Sequence, residues 1–427
     1  MVGEYKTLAR LFHADSSSDA FTNHKVLAKS RLEADSTFRT NIITPLGELF
    51  IATPRETSLI VERILLAERK VSKLWQSLPG LIRWDYIRHY ISEEIFATNE
   101  MEGVRSTRKE TEAAVSAAEK ARKEGNETRA RFSEFAKLYL GLTDRNADLP
   151  KTLEDIRGIY DQIVLGKIDD KDKPDGVLFR KDDVKIQGPH GSAIHTGVRG
   201  ENRINVLLTE MINLVNSDTI PGIQSAIISH FLFEYTHPFY DGNGRTGRYL
   251  LALYLNHDLT LPTVLSLSKV IAENKNVYYK AFSEAEDKLN CGELTFFVNT
   301  ILELIAKAQN ELIEQLSVKV DQLEKAAALC GTLEKEHHLS DKAAAILYQV
   351  MQEELFDSMK SVTLERAGEH IGLTKQSARK YVAELSDNEL VDFVGKRPLT
   401  FRASPPAAAE NDRRTDRRGV LMAAGSP

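Results

Sequence analysis

Covalent cross-links contribute little to this chain. Among its 427 residues only Cys291 and Cys330 are cysteines, too few for a disulfide framework and without the spacing of a zinc site or a redox pair. A reducing compartment fits that usage. No run of 18 uninterrupted apolar residues occurs, so a membrane-spanning helix is not expected. The N-terminus, Met-Val-Gly-Glu-Tyr-Lys, lacks the apolar stretch of a signal peptide, and the two absences together predict a soluble, cytoplasmic protein. Glycine (24), proline (13) and aromatics (7%) are all modest, which excludes collagen-like and low-complexity classes. An excess of positive charge is missing too. Lys+Arg number 56 against 62 Asp+Glu, a net charge of −6, so any surface for nucleic acid must be local. What is present is an ordinary globular composition, long enough for two or three domains at about 150 residues each.

Apolar spacing predicts a mainly helical chain. From Glu56 to about Arg122 hydrophobic residues recur at helical intervals (Leu59, Val61, Ile64, Leu65, then Ile87, Ile91, Ile95), broken by Pro79-Gly80. Further helices are expected over 153–165, 204–215, 223–235, 246–256 and 294–329. Residues 176–198, with Val177, Phe179, Val184 and Ile186 alternating among glycine, proline and histidine, read as a β-hairpin on that helical body. The first 50 or so residues read as a loosely ordered lead-in with one or two strands. Residues 403–427 contain no aromatic and are rich in Ala, Pro, Arg and Asp, the composition of a disordered tail.

One stretch carries chemistry: His237-Pro-Phe-Tyr-Asp241-Gly242-Asn243-Gly244-Arg245-Thr-Gly247-Arg248. Gly242 and Gly244 let the backbone turn sharply and bring N–H groups to an anion, and the helix that follows offers free N–H groups and the positive end of its dipole. Asn243 adds a side-chain donor. Arg245 and Arg248, three apart, lie on one side of the first helical turn, where two guanidinium groups converge on successive phosphates. Asp241 is placed for a hard divalent cation shared with phosphate oxygens, for which Mg²⁺ is the natural choice. His237, at the lip, suits a general base for an incoming hydroxyl.

These residues match, at every constrained position, the motif H-x-F-x-(D/E)-G-N-G-R-x-x-R, and by it the chain resembles the Fic (filamentation induced by cAMP) family. The resemblance implies a Fic-type helical bundle with a β-hairpin flap, and a protein adenylyltransferase in which His237 deprotonates a Ser, Thr or Tyr hydroxyl that attacks the α-phosphate of ATP. It implies Mg²⁺ on Asp241, an anion hole from Gly242 to Gly244, and Arg245 and Arg248 on the β- and γ-phosphates, with Gly247 in the same nucleotide-binding turn. Phe239 is expected to anchor the loop in the core. Gly244 stands where kinase-like relatives carry lysine, which favours nucleotidyl over phosphoryl transfer. The flap, 176–198, is implied to dock an extended segment of a target protein, with Val184 and Ile186 covering the nucleotide. Tyr278-Tyr279 resembles the adenine-side element.

Upstream, Thr98-Asn-Glu-Met-Glu102-Gly103 resembles the family's inhibitory motif, (S/T)-x-x-x-E-(G/N). Helical spacing continued from Ile87, Ile91 and Ile95 puts Thr98 and Glu102 on one stripe, and Gly103 suits the position that ends the helix. A carboxylate on a packed face needs a cationic partner, and the resemblance supplies Arg248, making the enzyme autoinhibited at rest.

Residues 362–402 change character: a helix from Thr363 to Ile371, a turn at Gly372-Leu373, a second helix from Thr374, then two short strands around Gly395-Lys-Arg-Pro, the outline of a winged helix-turn-helix. Its second helix carries Lys375, Gln376, Arg379 and Lys380, and its wing tip Lys396 and Arg397, a basic face compatible with DNA. Glu365, Glu369 and Glu384 on the same helices favour protein contact or dimerisation instead.

The expected organisation is a lead-in (1–54), a helical region with the inhibitory helix at about 85–103 (55–145), a Fic core (146–305), linking helices (306–350), a small α+β winged helix (351–402) and the tail. Alternatives to adenylyl transfer are a nucleotide-sensing DNA-binding regulator, another nucleotide donor, or removal of AMP. Relatives often form dimers, so a homodimer is a further expected partner.

Overall fold

The computed structural model describes residues 5–404 apart from 127, 129, 145–146, 166–167, 188–192, 357–360 and 397. The fold is mainly helical, with three small sheets of two, two and three strands among the described residues. No helix among these residues is long and apolar enough to cross a membrane. The chain divides into two compact units, one from Met1–Ser72 and Tyr86–Leu312, the other from Lys73–Asp85 and Ile313–Pro427.

The first unit is built round two helices buried on nearly every side. Gly222–Thr236 (GIQSAIISHFLFEYT) buries residues on every side, as expected of a helix apolar all round, and so does Asn243–Leu255, which also buries Asn243, Arg245 and Arg248 in its opening turns. Leu8–Ala14 and Ala20–Leu32 are ordered helices, followed by an antiparallel hairpin of Thr37–Thr44 and Gly47–Ala52. The sequence suggests only a loose lead-in there, because Ala20–Leu32 buries His24 alone and so carries no apolar stripe to read.

Pro79-Gly80 separates Arg55–Ser77 from Gly80–Met101, as the breaker pair predicts. The second of these helices ends in a Schellman turn: Gly103 takes φ +67°, its N–H donates to Glu100 O at 3.1 Å, and Val104 N donates to Asn99 O at 2.9 Å. Arg108–Glu124 opens on a capping box between Thr107 and Glu110 and closes on Gly125. The hairpin is shorter than expected. Lys185–Gln187 pairs antiparallel with Ala193–Thr196, whereas Val177 and Phe179 precede it in irregular backbone.

The second unit has its own core, in which Ile346, Leu347 and Val350 of helix Asp341–Phe356 pack with Ala367, Val382, Leu385 and Phe401. Leu364–His370 and Lys375–Asp387 form the helix-turn-helix, each N-capped by a threonine, Thr363 and Thr374. Strand Leu399–Ala403 pairs with Val391–Lys396 on one side and with Val362–Thr363 on the other, giving the wing. Ala403 is a buried end of that strand, not the start of a tail. Residues 405–427, Arg397 and the side chains of Ile186 and Lys396 lie outside the described residues.

Candidate active site

His237 closes the helix Gly222–Thr236 in the left-handed region, at φ +50° and ψ 64°, with its N–H on Phe233 O at 2.9 Å. Few residues other than glycine adopt this conformation. The next residues are held from beneath. Phe239 is fully buried and lies flat on Tyr160, ring centroids 3.5 Å apart and planes within 9°. The Asn243 side-chain amide binds both ends of the Phe239 backbone, accepting from its N–H at 2.9 Å and donating to its carbonyl at 2.8 Å. Asn243 therefore braces the loop rather than extending a free donor to an anion, which corrects the expectation from its position.

Gly242, at φ +86°, starts the helix Asn243–Leu255, and a Cβ there would stand 2.7 Å from Val164 Cγ1. The first N–H groups of that helix have no intrahelical acceptors and point to where an anion would sit. Asp241 accepts from Gly242 N at 2.7 Å and pairs with Arg245 at 3.2 Å. Arg245 is 1% exposed, and its Nε and Nη1 have no hydrogen-bond partner among the described residues. Arg248 goes elsewhere. Its Nη2 meets Glu102 Oε1 at 2.7 Å, and its Nε donates to Thr98 Oγ1 at 2.7 Å. The two arginines thus do not converge, because each is claimed by a different carboxylate.

Glu102 lies directly over the loop. A Cβ built on Gly244 would collide with the Glu102 carboxylate and stand 2.9 Å from Arg248 Nη1, so only glycine lets the carboxylate reach the arginine. Arg248 is 2% exposed and Glu102 22%. Burial is the largest single influence and would lower the guanidinium pKa, but Glu102, Tyr278 and Glu234 together outweigh it and the net direction is upward.

Two glutamates that sequence reasoning passed over, the buried Glu94 and the half-buried Glu234, also surround Arg248. Glu94 accepts from Ser268 N at 3.1 Å and from Tyr139 Oη at 3.1 Å, and burial pushes its carboxyl up to about 7. Glu234, three residues before His237, has no partner for Oε1 among the described residues. Burial pushes it up to about 8, Arg248 pulling it down and Glu102 pushing it further up. A lone acid within Phe-Leu-Phe-Glu-Tyr was the legible signal. Because the folded pKa lies above the unfolded value of about 4.3, the folded chain holds the extra proton. The stabilisation is present in full below about pH 4 and is lost as pH rises to about 8. Glu234→Gln removes this dependence: its melting temperature is expected near that of the wild type at pH 5 and clearly above it at pH 9, read by calorimetry. Parallel curves would contradict the assignment.

The tyrosine pair divides. Tyr278 is 2% exposed, with its hydroxyl 2.8 Å from His230 Nε2 and its ring against Phe282, while Tyr279 is 46% exposed. Val184 is half-buried at the base of the hairpin. Asp241 is 44% exposed, and among the described residues no group of three or more His, Cys, Asp or Glu side chains gathers for a metal. A single carboxylate fits Mg²⁺, which takes one or two protein carboxylates and fills its shell with phosphate oxygens and water.

Residues 150–255 match the family model described as Fic/DOC family. A probable protein adenylyltransferase of Aquifex aeolicus (strain VF5) is 40% identical over 83 residues, 19% of this chain and 24% of that protein. Protein adenylyltransferase fic-1 of Caenorhabditis elegans is 33% identical over 97 residues, 22% of this chain and 17% of that protein. The chain thus spans about a quarter or less of the length of these two relatives. A solved Fic family protein from Desulfovibrio desulfuricans G20 is 17% identical, covering 80% of this chain and 96% of its own, with a TM-score of 0.45. The loop that runs from a left-handed histidine to a buried arginine lies wholly within the matched segment, and residues 150–255 are a Fic/DOC family domain.

Proposed function

We propose that the protein is an adenylyltransferase that moves AMP from ATP to a Ser, Thr or Tyr hydroxyl of a target protein and is held off at rest by Glu102. The observation that carries this reading is the loop itself, with a histidine at one end and, at the other, helix N–H groups that have no intrahelical acceptor and two buried arginines. His237 takes the hydroxyl proton, the oxygen forms a bond to the α-phosphorus, and the bond to the β-phosphate oxygen breaks with release of pyrophosphate. The N–H groups of Asn243 and Gly244 hold phosphate oxygens, and Arg245 turns its two unpartnered nitrogens to the same chain. Asp241 would hold Mg²⁺, which neutralises phosphate charge when bound. The names of the two adenylyltransferase relatives support the choice of transferred group. The hairpin offers a strand edge for the target segment. A requirement for ATP, and two free thiols at Cys291 and Cys330, agree with a cytoplasmic setting.

The test is incubation of the wild type, Glu102→Gly and His237→Ala with Mg²⁺ and ATP labelled on the α- or γ-phosphate, followed by intact mass. Retention of α-label with loss of γ-label identifies adenylyl transfer. Retention of γ-label instead would mean phosphoryl transfer and overturn the reading.

A second reading, regulation through DNA, is favoured by the second unit. Lys375, Gln376, Arg379 and Lys380 are all exposed on helix Lys375–Asp387, whose opposite face buries Ala378, Val382 and Leu385. Glu384 is turned away, accepting from Ser340 N at 2.7 Å and Ser340 Oγ at 2.8 Å. If this face binds duplex DNA, replacing Lys375, Arg379 and Lys380 by alanine weakens binding for every sequence and reduces the slope of log K against log salt by about 3. Fluorescence anisotropy over a salt series measures it, and an unchanged slope would remove the face from DNA contact.

A further inference from the structure

Arg180 is fully buried, and among the described residues no carboxylate pairs with it; neighbouring Asp183 is held by Arg199 at 2.6 Å. Burying a guanidinium without a counter-charge is expensive unless its donors are satisfied. Here four backbone carbonyls satisfy them. Nε donates to His237 O at 2.8 Å, Nη1 to Asp182 O at 2.7 Å, and Nη2 to Val198 O at 2.7 Å and Thr236 O at 3.2 Å. These carbonyls belong to three separate pieces of chain: the strand-ward approach to the hairpin, its return, and the end of the helix that delivers His237. Backbone bonds run alongside, from Arg180 N to Pro238 O and from Val198 N to Thr236 O, both at 3.1 Å. Gly197 makes the approach possible. A Cβ there would land on Arg180 Nη2 and stand 3.0 Å from His237 Cβ.

We infer that Arg180 is a positioning residue, whose guanidinium fastens both ends of the hairpin to the backbone of His237 and thereby sets the distance between a docked target hydroxyl and the imidazole. The planar fork is what the task requires: five N–H groups at fixed angles reach three segments at once, which an ammonium group cannot do. The inference rests on the adenylyl-transfer reading for its kinetic consequence, since a misplacement of about 1 Å can slow a positioned reaction by about 100-fold. The fastening itself does not depend on that reading.

The experiment places Arg180→Lys and, separately, Gly197→Ala in the Glu102→Gly background. It measures self-labelling from α-labelled ATP, the KM for ATP, and hydrogen exchange at the amides of residues 197–198. The expected result for both variants is a turnover lowered roughly 10- to 100-fold, a KM for ATP within about two-fold of the parent, and faster exchange confined to the hairpin base. Turnover within two-fold of the parent overturns the inference. So does a loss of turnover that comes with a raised KM or with faster exchange throughout the chain, because that is a general structural role. If the Glu102→Gly parent takes no label, the adenylyl-transfer reading fails and exchange alone decides: local loosening at 197–198 upholds the fastening, and unchanged exchange refutes it.

Discussion

Glu102→Gly is expected to raise ATP-dependent self-labelling roughly 10- to 100-fold over the wild type. The pair it breaks joins a carboxylate 22% exposed to an arginine 2% exposed at 2.7 Å, and close, partly desolvated charge pairs couple by about 1.5–3 kcal/mol. At about 1.4 kcal/mol per factor of ten, that is one to two decades in the population of molecules whose Arg248 is free to meet a phosphate. Glycine also removes the side chain that overlies Gly244, so access and charge change together. Thr98 stays on Arg248, through contacts at 2.7 and 3.3 Å, and keeps the guanidinium oriented. Labelling is read by intact mass and by retained α-phosphate. Equal labelling of wild type and variant, both folded, would strip Glu102 of any regulatory part.

His237→Asn, made in the Glu102→Gly chain, is expected to lower the labelling rate by about 10²–10⁴, the usual worth of a general base. Asparagine is the informative replacement. His237 sits at φ +50°, where alanine adds a backbone penalty of about 1–2 kcal/mol that asparagine largely avoids. Any loss in the asparagine variant therefore reports on the imidazole and not on the turn. Nucleotide affinity, read by calorimetry, should stay within about two-fold, because the groups proposed to hold phosphate begin at Gly242. A labelling rate within two-fold of the parent would show that His237 takes no proton.

What could be read in the sequence was chemistry concentrated in consecutive residues. The loop from His237 to Arg248 and the helix stop at Gly103 both have local causes: glycines that must turn, an acid near a cation, and an apolar stripe that continues to Glu102. Interactions made by groups common to every residue were invisible. Arg180 binds only backbone carbonyls, and nothing in Gly-Val-Leu-Phe-Arg announces which carbonyls will come near. Competition between partners was equally hidden. Spacing brings Arg245 and Arg248 to one turn, but Asp241 and Glu102 draw them apart; spacing pairs Tyr278 with Tyr279, but the His230 contact takes the first into the core. Ala20–Leu32 was lost for the opposite reason, having too little burial to leave a pattern.

The Schellman turn at Gly103 has a consequence for how Glu102 is held on Arg248. Glu102 lies at the carboxyl end of its helix, where the peptide dipoles present partial negative charge and a carboxylate is unwelcome. Last turns are also the first part of a helix to fray, and they do so at small expense because few hydrogen bonds are lost. The ionic contact to Arg248 at 2.7 Å therefore acts as the clasp that keeps an otherwise disfavoured terminus wound. Glu102→Gly removes the clasp and the unfavourable charge together, and the hydrogen bonds from Gly103 N and Val104 N are left to hold the turn.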